Sequence, residues 1–145
     1  MEKNVEKQEN YIKLKGRLAK AMKNGFWFEA CMIEYAIIED RTSSILHYSG
    51  VCENAYSSSK KLSNKLNSIE HQIGKGHCII SKKVNKDTIS QIKAWKDTRN
   101  DLVHRACVLY DYDLSKKIAL EGNELVKAIS NDSAKVTRYA NNLKK

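Results

Sequence analysis

Arg99, Asn100 and His104 are the residues in this sequence whose types and spacing best suit chemistry. Arginine stays cationic at any accessible pH, and its planar guanidinium can bind a phosphate through two N–H groups. Histidine has an unperturbed pKa of about 6.5, so it can accept and return a proton near neutral pH. This pair suits cleavage of a phosphodiester bond without a metal ion. We therefore expect neither a metal nor another cofactor.

These residues lie inside a predicted helix that begins with Asn85 or Asp87 as its cap and ends near Tyr110. Its apolar residues recur at helical spacing: Ile89, Ile92, Trp95, Leu102, Ala106 and Leu109. At about 100° per residue, Arg99 falls within this stripe and His104 projects away from it. A site built from one copy of the chain is therefore awkward, and a second copy across a two-fold axis would bring more groups together.

The rest of the chain predicts an all-α, single-domain bundle of about five helices. Apolar stripes place the other helices at about 3–23, 26–48, 54–73 and from a cap at Asp113 or Ser115 onward, with a loop or short extended piece over 74–83. The absence of proline and the presence of only 6 glycines disfavour a many-stranded fold. The length fits one domain, 1–145, with a basic tail over about 135–145 that we expect to fray.

The net charge of +9 is unevenly distributed. Residues 60–96 hold nine lysines against two acidic residues, whereas residues 26–56 are acidic overall. This asymmetry favours an anionic partner, although charge alone fits a solvated surface equally well. If the partner is RNA, the lysines expected to hold its backbone are Lys75, Lys82, Lys83, Lys93 and Lys96.

Other classes of protein are disfavoured. The cysteines lie far apart, as expected in a reducing cytoplasm, and the N-terminal residues lack the apolar region of a secretion signal. No apolar run approaches the roughly 18 residues of a membrane span. Four residues that could ligate zinc lack ligand-pair spacing: Cys52, His71, His77 and Cys78. No G-x-S-x-G motif indicates a serine hydrolase.

The motif and its context resemble the higher eukaryotes and prokaryotes nucleotide-binding (HEPN) superfamily. Its ribonucleases carry an arginine, usually a polar residue next, and a histidine four to six positions after the arginine; Arg99, Asn100 and His104 fill this pattern. Segments 26–30, 34–41 and 95–98 extend the likeness, which covers the helical layout of most of the chain. Some members carry a modifiable tyrosine two residues after the histidine, where this chain has Ala106.

The resemblance implies a metal-independent endoribonuclease of the toxin or phage-defence type, acting as a homodimer with a composite site and controlled by an antitoxin protein. His104 would transfer protons, Arg99 would neutralise charge on the phosphorane, and Asn100 would hold the phosphate or orient His104. The products would be a 2′,3′-cyclic phosphate and a 5′-hydroxyl. Acidic residues of the second predicted helix are the natural partners of a buried Arg99, with Glu34 or Glu39 preferred to Asp40.

Two non-catalytic interpretations remain open. A HEPN-like or generic helical module could bind nucleic acid or protein through its basic face, and its nucleic acid binding would be salt-sensitive and survive His104→Ala. An interaction protein, such as an antitoxin or immunity factor, would contact no nucleic acid at all.

Overall fold

A computed structural model describes residues 2–57 and 60–145, with side chains from residue 5 onward. Within these residues the regular secondary structure is entirely helical, which confirms the predicted all-α class. The structure has six helices there, one more than expected: α1 (Glu2–Asn24), α2 (Trp27–Tyr48), α3 (Leu62–Lys75), α4 (Ile79–Lys83), α5 (Lys86–Arg105) and α6 (Tyr112–Leu143). None of the described helices is both long enough and apolar enough to cross a membrane.

The core forms where α2 packs along α6, the most extensive helix contact in the described chain. α1 packs against α2 from the other side, and α5 packs against α6. The bulky apolar side chains that are fully buried come from α2, α3, α4, α5 and α6: Ile37, Ile38, Ile45, Leu62, Leu66, Ile69, Ile80, Ile89, Ile92, Ile118 and Ile129. Trp95 links α5 to α6 because its Nε1 donates to the Ile118 carbonyl at 2.9 Å. Arg99, one turn further along α5, is thereby placed against the core.

The predicted helix over 54–73 begins later than expected. Residues 53–57 form turns, with the Ala55 and Ser57 amides donating to carbonyls only three residues back, and residues 58–59 lie outside the described chain. Helix α3 starts at Leu62, the first buried apolar residue of the stripe.

The segment over 74–83 is partly helical, so the prediction of a loop or extended piece there is wrong for its second half. Gly76 ends α3 with a left-handed backbone, φ 73°. The single turn of α4 then follows because Ile80 is fully buried and needs a compact backbone to reach the core. Ser81 Oγ stabilises that turn by accepting a hydrogen bond from the Cys78 amide at 3.2 Å.

Helix α5 begins as predicted and ends earlier than predicted. Asn85 is its cap, and the Asn85 side chain accepts a hydrogen bond from the Asp87 amide at 2.8 Å. The helix stops at Arg105, whereas we expected it to reach Tyr110. Val108 and Leu109 are 89% and 71% exposed, so no core contact extends the helix through them.

Helix α6 starts and ends differently from the prediction. Its cap is Asp111, whose Oδ1 accepts from the Leu114 amide at 2.9 Å; neither Asp113 nor Ser115 has that role. The helix continues to Leu143, through most of the segment expected to fray. Val136 and Ala140 remain buried there, so packing supports the extra turns: these two residues are 0% and 8% exposed.

Candidate functional site

Arg99 lies on the buried face of α5, with 9% of its surface exposed. Its Nη1 donates to Asn100 Oδ1 at 2.9 Å, and its Nη2 donates to the Met32 sulfur, a weak acceptor, at the same distance. The guanidinium carbon lies 4.3 Å from the centroid of the Tyr35 ring, a favourable cation–π contact. Two α2 side chains therefore hold an α5 arginine in place, and the Arg99 Nε has no hydrogen-bond partner among the described residues.

The prediction that Glu34 or Glu39 pairs with Arg99 is not met, because neither forms an ion pair with it in the described chain. Glu34 is directed at α6, and its carboxyl packs closely against Gly122 and Trp95. Glu34 is fully buried, and neither of its carboxyl oxygens has a hydrogen-bond partner among the described residues. Burial raises the pKa of Glu34 to about 9, so this carboxyl is protonated and neutral near neutral pH.

The Arg99 guanidinium consequently has no ionised carboxylate bonded to it within the described chain. Burial, and then the neighbouring Glu34, raise the pKa of the Cys31 thiol to about 12, so Cys31 stays a thiol and adds no negative charge either. Burial lowers the pKa of Arg99, which records the cost of keeping its charge away from water. An anion placed against the guanidinium would offset that cost.

His104 lies on the exposed side of α5 and makes no side-chain hydrogen bond or ion pair with the described residues. Five residues separate it from Arg99, which corresponds to about 7.5 Å along the helix axis and about 140° around it. Arg99 is buried and His104 exposed, as the helical spacing predicts. Asn100 is half-buried and contacts Arg99. The two principal groups of the motif therefore do not converge within one copy of the chain.

A cleft of about 350 Å³ lies beside Tyr35, and sequence reasoning missed it. We call it the Tyr35 cleft, lined by Tyr35, Ala36, Glu39, Asp40, Ser43, Tyr56 and Lys65. Lys65 is buried, and its Nζ donates to Ser43 Oγ at 2.9 Å. The burial of Lys65 could have been predicted from the sequence. Lys65 is the only polar residue of one helical stripe: Leu62, Lys65, Leu66 and Ile69.

Electrostatic contacts connect the cleft to Arg99 through Tyr35. Burial, and then the charge of Glu39, raise the pKa of the Tyr35 phenol, while Arg99 and Lys96 act in the opposite direction. In the sequence, Tyr35 recurs at helical spacing with apolar residues of α2. In the structure the Tyr35 ring lies against the guanidinium, and the same side chain lines the cleft.

The five lysines predicted to hold RNA lie in two groups. Lys75, Lys82 and Lys83 lie in the last turns of α3 and α4. Lys93 and Lys96 lie on α5 and form ion pairs with Glu70 and Asp97, at 2.9 and 2.7 Å. Lys96 is also largely buried, so it acts near Tyr35 and not as part of a solvated basic face.

Apolar side chains, exposed except for the half-buried Phe28, lie around the C-terminal end of α5 and the starts of α2 and α6. We call this the apolar patch: Phe26, Phe28, Met32, Val108, Leu109, Tyr110, Tyr112 and Leu114. The rings of Phe28 and Tyr110 lie 6.3 Å apart, edge to face, which joins its two halves. The patch reaches Arg99 through Met32, whose sulfur contacts the guanidinium.

Within the described residues no group of three or more side chains is placed to hold a metal ion. Comparison with known proteins gives no match to a family model, a curated protein or a solved structure.

Proposed function

We propose that this chain is a metal-independent endoribonuclease of the HEPN type that uses Arg99 and His104. The observation that carries the proposal is the state of Arg99: a buried guanidinium with no carboxylate partner in the described chain, one residue before Asn100 and five before His104. The arginine with an adjacent amide and a histidine downstream is the pattern that the resemblance associates with RNA cleavage.

The electrostatics favour an anionic ligand. Removing the partner of a buried charge is strongly destabilising, typically by about 3–5 kcal/mol, because the remaining charge is uncompensated. Arg99 is such a buried charge without a charged partner, since Glu34 is neutral and directed at α6. A phosphate can accept two N–H groups from one guanidinium, and each terminal nitrogen of Arg99 uses only one of its two N–H groups within the protein. Binding of an RNA phosphate would therefore offset the charge and use the remaining donors.

In the proposed reaction His104 removes the proton from the 2′-hydroxyl, and the 2′-oxygen attacks the adjacent phosphorus. The bond from phosphorus to the 5′-oxygen breaks, and the 5′-oxygen takes a proton from a second imidazolium. The products are a 2′,3′-cyclic phosphate and a 5′-hydroxyl. Arg99 and Asn100 stabilise the charge that grows on the phosphorane oxygens. One group must remove the proton of the 2′-hydroxyl, and a second group must protonate the 5′-oxygen. We assign the second role to His104 of another copy of the chain.

The apolar patch is the surface that we assign to this homodimer. Contiguous exposed apolar surface of this kind marks interaction sites, and a two-fold contact through the ends of α5 would bring two copies of the motif together. The toxin or phage-defence role and the controlling antitoxin protein are what the resemblance carried by Arg99, Asn100 and His104 implies. The four cysteines are unpaired, which suits a reducing cytoplasm.

The test is cleavage of RNA by the purified protein in chelator, comparing wild type with Arg99→Ala and His104→Ala. We expect cyclic phosphate ends from wild type and a loss of about 100-fold or more in each variant, the usual contribution of a proton-transfer group. His71→Ala, which changes an exposed histidine on α3, is the matched control and should cleave as wild type does. Circular dichroism of each variant verifies folding. Intact RNA with folded wild type, or undiminished cleavage by His104→Ala, would refute the proposal.

The second candidate is a non-catalytic module that binds nucleic acid or a protein partner. The observation in its favour is the separation of Arg99 from His104 on different faces of α5. It predicts RNA retention that weakens steeply with added salt and is unchanged in His104→Ala. Filter binding at several salt concentrations separates the two candidates, because only the ribonuclease consumes the bound RNA.

A further inference from the structure

We propose that the Tyr35 cleft binds a guanine base of the RNA, beside the phosphate held by Arg99. This inference deepens the proposed ribonuclease function and depends on it for the phosphate, whereas the recognition of the base depends only on the cleft. The cleft volume of about 350 Å³ lies within the range of small-molecule sites, about 300–1,000 Å³.

The walls of the cleft suit a planar base. Tyr35 and Tyr56 contribute aromatic rings, and Ala36 adds a small apolar side chain to the lining. Unstacked RNA bases bind proteins by stacking on such rings and by hydrogen bonding along their edges. The Tyr56 ring has Lys7 Nζ 3.3 Å from its centroid and the His47 ring 5.4 Å away, so it is held in place from outside the cleft.

The charged groups of the cleft select among bases. Asp40 is already neutralised by ion pairs with Lys7 and Arg41. Glu39 and Lys65 line the same cleft and, within the described residues, form no ion pair with each other. The cleft lining thus includes both a carboxylate with two acceptor oxygens and an ammonium donor.

Guanine matches this pair better than the other bases do. Its Watson–Crick edge presents N1–H and the N2 amino group side by side, which a single carboxylate can accept together, followed by the O6 acceptor for the ammonium. Adenine places an acceptor at N1, against the carboxylate, and uracil and cytosine each present one donor group on this edge. Glu39 would accept from guanine N1 and N2, and Lys65 would donate to O6.

Tyr35 places the base beside the scissile phosphate. One ring contacts the Arg99 guanidinium, with the guanidinium carbon 4.3 Å from the ring centroid, and the same side chain lines the cleft. A nucleotide whose phosphate reaches Arg99 can therefore extend its base into the cleft. The consequence is cleavage at phosphates next to guanosine.

The first test measures binding of guanosine monophosphate and adenosine monophosphate to the full chain by titration calorimetry. We expect at least about tenfold tighter binding of the guanine nucleotide, the discrimination typical of a bidentate contact to a base edge. Glu39→Gln should lose this preference because an amide presents one donor and one acceptor. Glu29→Gln, the same change at an exposed position of α2, should keep it. Equal affinities in wild type, or a preference that survives in Glu39→Gln, would overturn the inference.

The second test distinguishes this inference from the ribonuclease proposal. A short RNA with one guanosine should displace the bound nucleotide, and an RNA without guanosine should not; failure of the first RNA to compete would overturn binding of the base within RNA. Cleavage ends should map next to guanosine in wild type and lose that bias in Glu39→Gln. Guanine-selective binding without cleavage supports the cleft and refutes the ribonuclease. Cleavage with no base preference and no nucleotide selectivity refutes the cleft alone.

Discussion

Substitution of Gly122 by alanine should destabilise the protein, although alanine is the better helix former. Gly122 lies within α6 directly opposite Glu34 of α2 and Trp95 of α5. A Cβ at this position would overlap Glu34 Oε1 and would lie 2.7 Å from both Glu34 Cδ and Trp95 Cζ2. Neither neighbour is free to move aside, since Glu34 is fully buried and Trp95 is bonded to the Ile118 carbonyl.

Two opposing effects determine how far Gly122→Ala changes the free energy of unfolding. Replacing glycine by alanine inside a helix gains about 1 kcal/mol. Forcing a methyl group into a packed core costs about 1–3 kcal/mol, and two simultaneous overlaps place Gly122 at the upper end. The net loss is about 2 kcal/mol, which for a chain of this length lowers the melting temperature by roughly 4–8 °C.

Urea unfolding followed by circular dichroism measures this difference, with Gly16→Ala as the control. Gly16 lies in α1 with nothing within 4 Å of a Cβ, so alanine there should raise the free energy of unfolding by up to about 1 kcal/mol. Gly122→Ala should cost less in a Glu34→Ala background, where one overlap is gone. If Gly122→Ala stabilised the protein as Gly16→Ala does, the described packing of Glu34 against α6 would be wrong.

Two further predictions concern buried carboxyl groups. Folded Glu34 keeps its proton up to a pKa of about 9, whereas the unfolded chain loses it near 4.5. In that interval its contribution to the free energy of unfolding therefore falls by about 1.4 kcal/mol per pH unit as the pH rises. Glu34→Gln should remove this slope. In urea unfolding at several pH values, the free energy of unfolding of the variant should therefore rise relative to that of wild type as the pH rises. Parallel pH profiles would contradict the prediction. Asp132 Oδ2 accepts a hydrogen bond from the Asn85 amide at 3.0 Å. Asp132→Ala should therefore lower the free energy of unfolding by about 1 kcal/mol, and Asp132→Asn, which keeps an acceptor, should lower it less. Equal losses in the same unfolding assay would count against a role for that hydrogen bond.

The helical class and the cap at Asn85 could be predicted because both depend on local patterns. The errors occurred where burial, not local pattern, decides the structure. Leu109 follows the stripe of its helix but has no core beside it, so α5 ends before it. Ile80 stands in a short polar segment, yet its burial makes that segment helical. Such outcomes depend on which surfaces meet in three dimensions.

In the candidate site, too, local spacing could be read from the sequence and tertiary packing could not. The spacing of Arg99 and His104 predicted one buried and one exposed residue, as the structure has them. The partner of Arg99 was not predictable, because Glu34 and Glu39 both qualified by charge and only the fold reveals that Glu34 is directed at α6. Lys65 was detectable as a lysine within an apolar stripe. The convergence of Lys65, Glu39 and Tyr35 was not, since it depends on how α3 packs against α2.

The packing of α2 against α6 has a consequence for synthesis. Roughly 60 residues separate the end of α2 from the start of α6. At translation rates of about 5–20 residues per second, several seconds pass between the appearance of α2 and that of its principal partner. During that interval the α2 face that meets α6 stays uncovered, and the side chains that hold Arg99 lack their final support. A nascent chain therefore lacks the completed surroundings of Arg99 until α6 has emerged.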